Sequence, residues 1–154
     1  MNRVKTLSTI LIALLIAIQF VQPARTNPPA DPARAITRRL QVDPEVARIL
    51  DRACRDCHSN DTRWPWYSRV APGSWLVIDH VNHGRRHLNF SDWPDDATEQ
   101  EKLSAICSEV TSGRMPVSSY TLVHRNARIE SQDARRVCEW ATREQQALNV
   151  TSPR

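Results

Sequence analysis

Five consecutive residues, Cys54-Arg55-Asp56-Cys57-His58, constrain what this 154-residue chain can fold into more than any other feature. Two thiols three apart share one face of a helical turn, and an imidazole follows the second directly. The segment leading into them is itself helical in pattern. Asp43-Pro44-Glu45 supplies a capping residue, a proline suited to the first helical position and an acid for the positive helix end. Val46, Ile49, Leu50 and Ala53 then recur at the i, i+3, i+4, i+7 spacing of one helix face. The expected helix runs straight into the cysteine pair.

Three more helices are expected downstream. Residues 74–88 carry Trp75, Ile78 and Val81, although Gly84 inside them weakens the pattern. A third helix starts from Asp95, Asp96 or Thr98 as its cap and ends at Gly113, with Leu103, Ile106, Cys107 and Val110 on its apolar face. A fourth is capped by Ser131 and carries Ala134, Val137, Cys138 and Ala141. Residues 59–73 read as a loop holding Trp64, Trp66 and Tyr67, and residues 114–130 as an irregular stretch holding Met115-Pro116 and Tyr120. A loop as aromatic as the first is expected to lie over something apolar. No segment alternates as a strand does, and glycine is scarce at 3 residues, so the expectation is an all-α domain of four main helices.

The N-terminus differs in character. Arg3 and Lys5 precede an apolar run from Leu7 to Val21, the pattern of a secretory signal. Gln22-Pro23-Ala24 is a poor cleavage site, so the run is expected either to leave as a signal peptide or to stay as an anchor, short for a span of about 20 residues. Both readings place Arg25 onward outside the cytoplasm. The expected organisation is residues 1–24 as signal or anchor, 25–41 as a proline-rich tether, 42–146 as the domain, and 147–154 as a flexible tail. The formal net charge is +4, and about +2 without Arg3 and Lys5. Arginines alternate with acids and no basic stripe interleaves with aromatics, which argues against a nucleic-acid partner.

Cys-x-x-Cys-His in an exported chain is the pattern of covalent haem attachment. Thiols at this spacing reach the two vinyl groups of one haem edge, and the adjacent imidazole meets the iron. Three rival readings are weaker. A thioredoxin-like pair belongs beside a strand–helix–strand unit, which is missing from the pattern. A zinc site wants a second close ligand pair, but Cys107 and Cys138 stand far apart. A disulfide across one helical turn is strained.

For the opposite face of the iron, Met115 is the only methionine besides the initiator, and Pro116 stiffens its loop. Core filler is its ordinary alternative. His80, His83, His87 or His124 is the alternative ligand, and a five-coordinate iron a third. If the third and fourth helices pack face to face, Cys107 and Cys138 meet in a disulfide closing a loop of about 31 residues. Otherwise they are two buried free thiols.

The residues also resemble a known family. The run from Cys54 through Trp64-Pro65-Trp66-Tyr67-Ser68, then Val70-Ala71-Pro72, Ser74-Trp75-Leu76-Val77 and His87-Leu88-Asn89-Phe90-Ser91-Asp92-Trp93, is similar to the small bacterial haem-binding domain family. Ser112-Gly113-Arg114-Met115-Pro116, Ser119-Tyr120-Thr121-Leu122 and His124 to Arg128 extend the likeness. It covers about residues 45–142, plus Asn27-Pro28-Pro29. The resemblance implies a periplasmic, cytochrome c-like domain with one haem c on Cys54 and Cys57, His58 as proximal iron ligand and Met115 as the distal one. By analogy with class I cytochromes, the carbonyl of Pro72 or Pro65 is the candidate to orient His58. Trp64, Trp66, Trp75 and Tyr120 are candidates to wall the haem, or else ordinary core aromatics.

The expected function is one-electron transfer with an unidentified redox partner protein, at the membrane if the leader stays. No residue set suggests a nucleophile or acid–base pair, so the chain is not expected to be an enzyme. The alternatives are a haem sensor or peroxidase-like enzyme with a displaceable distal ligand, and a structural zinc or thiol module.

Overall fold

The computed structural model describes residues 2–95 and 97–151, and among these every regular element is helical. In chain order the α-helices are α1 (Asn2–Ala17), α2 (Ile36–Arg39), α3 (Pro44–Ala53), α4 (Arg55–His58), α5 (Gly73–His87), α6 (Thr98–Thr111), α7 (Ser118–Val123) and α8 (Ser131–Thr151). The four helices expected from periodicity are α3, α5, α6 and α8.

Burial follows the apolar stripes. Val46, Ile49 and Leu50 of α3, Leu103, Ile106 and Val110 of α6, and Ala134, Val137, Trp140 and Ala141 of α8 form one core cluster with Phe90 and Trp93. Each large apolar side chain so buried contributes roughly 1.5–3 kcal/mol. Buried ring nitrogens are paired. Trp140 Nε1 donates to Gln41 O at 3.0 Å, and Trp93 Nε1 to Glu99 Oε1 at 2.7 Å. The Cys107–Cys138 disulfide forms, with Cα atoms 4.7 Å apart, because α6 and α8 do pack face to face.

Several boundaries move. The domain begins before residue 42: Ile36 and Leu40 are buried in the core, and Ile36 N–H donates to Phe90 O at 2.9 Å. The rest of the expected tether is pinned along the surface. Arg25 donates to Ser68 O at 3.0 Å, Asn27 Nδ2 to Thr62 O at 3.0 Å, and Asn60 Nδ2 to Pro29 O at 3.2 Å. At the other end α8 continues to Thr151, past the expected boundary at 146, and Leu148 packs against the core.

Local details differ as well. Asp43 makes no side-chain cap, because its carboxylate pairs with Arg143 of α8. The backbone breaks at Cys54 (φ −124°, ψ −37°), so α3 and the cysteine motif are two helices rather than one. Residue Ala97 occupies the cap position of α6 and Ser131 is the first helical residue of α8. Of the cap candidates before α6, Asp96 lies outside the described residues. The stretch 114–130 contains α7 and a 3-10 turn at Arg125–Ala127. Gly113 adopts φ 69° just past the end of α6, the left-handed stop that glycine permits.

One long-range clasp ties α3 to the start of α8. Arg52 donates to Asn126 O at 2.8 Å, Arg128 O at 2.7 Å and Asp133 Oδ2 at 2.5 Å. Replacing Arg52 with methionine keeps the stem but strands three acceptors at the surface. A loss of about 1–2 kcal/mol is expected in urea unfolding.

Candidate functional site

The cysteine motif sits between two layers. α4 packs on α3 on one side and on α5 on the other, and α5 also packs on the 3-10 turn Trp66–Arg69. The approach of α5 is close enough to need glycine. A Cβ on Gly84 would lie 2.6 Å from the Cys57 carbonyl oxygen and 3.3 Å from Cys57 Cβ. The lone glycine that weakened the helix pattern is the residue that lets α5 reach the motif.

That approach fixes His58. Its Nδ1 lies 3.0 Å from Leu88 O and 3.1 Å from Gly84 O, both at the C-terminal end of α5. A ring nitrogen between two carbonyls carries the proton, which leaves Nε2 as the unprotonated donor atom. Burial pushes the imidazole pKa below its ordinary value, against the upward pull of the two carbonyls, so the ring is neutral near pH 7. The His58 carbonyl is used too, accepting from Phe90 N–H at 2.7 Å. The orienting carbonyls therefore belong to Leu88 and Gly84 and not to Pro72 or Pro65. Pro65 O accepts from Ser68 and Pro72 O from Trp75 N–H, because both prolines precede helical turns that claim their carbonyls.

The four cysteines divide cleanly. Cys107 and Cys138 are paired, while Cys54 and Cys57 are free and half-buried. Burial pushes the Cys54 thiol up to about 12 and the Cys57 thiol up to about 11, with the neighbouring Asp56 carboxylate adding to the second. A dithiol redox pair works through a lowered pKa, so these thiols do not have the electrostatics of one. Among the described residues no group of three or more His, Cys, Asp or Glu side chains is placed to hold a metal ion.

A polar aromatic cluster adjoins the motif. Tyr120 donates its hydroxyl to Asp56 Oδ2 at 2.8 Å. The Tyr120 ring stacks on His124 with centroids 4.4 Å apart, and Tyr67 shares a 2.5 Å hydrogen bond with His124 Nε2. Burial raises both tyrosine pKa values, helped by Asp56, so both hydroxyls stay protonated. Replacing Tyr120 with phenylalanine is expected to cost about 1.5–3 kcal/mol, the worth of a hydrogen bond to a charged group. Urea unfolding of the two proteins gives the difference.

Contacts of the other expected wall residues are mainly with the N-terminal segment and the Trp66–Arg69 turn. Trp64 is half-buried, donating to Asn27 Oδ1 at 3.1 Å with Arg85 over its ring. Trp66 is exposed and meets Tyr67 edge-on. Trp75 donates to Val21 O at 2.6 Å. Met115 is half-buried in the turn after α6, its N–H bound to Glu109 O at 3.1 Å. His83 and His87 are exposed neighbours on α5, with rings 4.4 Å apart.

Sequence reasoning gave no site role to Gly84, Arg85 or Asp56. Arg85 is a hub, donating to Ser59 O, Thr26 O, Asn27 Oδ1 and Thr62 Oγ1 at 2.7–2.8 Å. The available signals were a solitary glycine inside a helical pattern and charged residues interrupting the cysteine motif.

An all-helical protein with two free thiols, a neutral tethered imidazole and neighbouring aromatics has the donor set of a haem-binding protein. The chain belongs to the haem-binding domain family, whose model matches residues 13–143. No curated protein and no solved structure matches it.

Proposed function

We propose that this haem-binding protein is a c-type monohaem protein that transfers single electrons outside the cytoplasm. The observation that carries the reading is the His58 geometry. Nδ1 is held by Leu88 O, and the two unpaired thiols lie within the same short helix and its cap. Cys54 and Cys57 would hold the haem as thioethers and His58 would bind the iron through Nε2. The haem supplies a one-electron Fe(III)/Fe(II) couple.

The chain's own task is to present and tune that couple. The Leu88 and Gly84 carbonyls polarise the imidazole and raise its basicity toward iron. Met115, the proposed distal ligand, would close the sixth position and raise the potential. The apolar α1, with Arg3–Phe20 long and apolar enough to cross a membrane and none of it buried, supports an exported, membrane-anchored or periplasmic location.

Intact mass tests attachment. Protein matured in a cell able to attach haem c should weigh one haem more than its polypeptide and keep its reduced spectrum through acid–acetone extraction. An unchanged mass and a colourless protein would end this reading. Met115→Ala is expected to keep the added mass of one haem but abolish the weak far-red band of methionine-ligated ferric haem.

The second reading, a haem sensor or peroxidase-like enzyme, draws on the Tyr67–His124–Tyr120 cluster beside Asp56. It requires an iron position that opens. Rapid carbon monoxide binding by the reduced wild type would favour it over electron transfer.

A further inference from the structure

The segment that leaves α1 offers no free tether. Gln19 is bound twice to the residue before Pro72: Ala71 N–H donates to Gln19 Oε1 at 2.9 Å, and Gln19 Nε2 donates to Ala71 O at 3.1 Å. Two residues on, Val21 O accepts from Trp75 Nε1 at 2.6 Å. Arg85 then holds Thr26 and Asn27. The 3-10 turn Ile18–Phe20 that follows α1, with Val21 after it, is thereby fastened to the start of α5.

The surface around that fastening is apolar and uncovered. Phe20 is 86% exposed, Trp66 76%, Leu76 51% and Val70 47%. Val70 and Leu76 adjoin the two pinned positions, Ala71 and Trp75, in sequence, Trp66 opens the Trp66–Arg69 turn just before them, and Phe20 stands between the pinned Gln19 and Val21. Arg25 and Arg69 are exposed beside them, and Arg25 is bonded to Ser68 O. Tryptophans with an apolar body and a polar ring edge, flanked by arginines at the end of an apolar helix, are the composition of a membrane–water interface. A soluble monomer seldom leaves such a group uncovered.

We propose that this surface rests on the lipid bilayer, so that the strap holds the domain against the membrane in a fixed orientation. The partner is the headgroup and upper acyl region of the leaflet from which α1 emerges. The inference rests on α1 remaining attached as an anchor. It is independent of how haem is bound.

The test uses the full chain reconstituted in nanodiscs of phosphatidylcholine and phosphatidylglycerol. Leu76→Cys is spin-labelled after maturation, and Gln146→Cys on α8 serves as the control, since α8 packs on α6 and α3. The label at 76 should be several-fold more accessible to oxygen than to a water-soluble nickel chelate, and the label at 146 the reverse. Gln19→Ala should shift the label at 76 toward the chelate. A label at 76 as open to the chelate as that at 146 overturns the proposal. So does an intact mass showing that residues 1–24 have been removed, and that mass distinguishes a lost anchor from an anchored domain that stands clear of the lipid. If Leu76→Cys folds poorly, Trp66→Cys gives the same reading from the neighbouring turn.

Discussion

Gly84→Ala should lower stability by about 3 kcal/mol and sharply reduce the yield of haem-loaded protein. The added methyl would sit 2.6 Å from a backbone carbonyl oxygen, with the Cys57 carbonyl carbon at 3.2 Å. Neither is the tip of a side chain that can swing away, so α5 or α4 must shift as a unit. Overpacking of this kind costs roughly 1–3 kcal/mol, and a backbone obstacle places the effect at the upper end. The functional loss follows from the same displacement. The Leu88 and Gly84 carbonyls that hold His58 Nδ1 both sit on the end of α5. Moving α5 away frees the imidazole to rotate. Urea unfolding measures the first effect, and the reduced haem absorbance per mole of polypeptide measures the second. A variant with wild-type stability and haem content would show that the contact between α4 and α5 is not needed.

Removing the Cys107–Cys138 disulfide should cost about 3–4 kcal/mol. The bond closes a loop of 31 residues between α6 and α8. Freeing it returns loop entropy to the unfolded chain, which the chain-entropy model puts at that size. In a domain of this length that is a large part of a total stability of about 5–15 kcal/mol. The double variant Cys107→Ala/Cys138→Ala should keep haem binding, because the candidate site around α4 and α5 lies apart from the disulfide. It should unfold at markedly lower urea concentration. Equal midpoints for the variant and the oxidised wild type would mean that helix packing alone holds α6 to α8.

The two effects separate what the disulfide and the glycine do. The α3, α6 and α8 layer forms the core and carries the covalent link. The α4 and α5 pair carries the candidate site, and its fit depends on one missing methyl group. Arg85 joins this pair to the strap from residue 26 to 27 and to the loop at Ser59 and Thr62. Burial lowers its pKa, yet four neutral oxygens take four of its five N–H donors, so the guanidinium serves as a clamp without a carboxylate partner.

Much of this was legible in the sequence because it is periodic or local. The stripes Val46–Ala53, Leu103–Val110 and Ala134–Ala141 each show a 3.6-residue repeat, and each became a buried helix face. The cysteine motif and its neighbours pointed to the haem-binding family, which the family match bears out. The pairing of Cys107 with Cys138 followed from their matching places on two such stripes. Caps were less legible, since a capping carboxylate such as that of Asp43 is free to choose a distant arginine instead.

What the tertiary structure alone decided is long-range. The carbonyl that orients His58 comes from Leu88, 30 residues downstream, and no local rule selects it over a nearby proline. The meaning of Gly84 depends on which backbone passes 2.6 Å from its missing Cβ. The residues expected to form a proline-rich tether are bound by groups 30 to 60 residues further on, among them Asn60, Ser68 and Arg85. Periodicity encodes which face of an element is buried, because burial repeats with the helix. It does not encode which partner lies opposite, because that is set only when whole elements pack and their backbone donors and acceptors find one another.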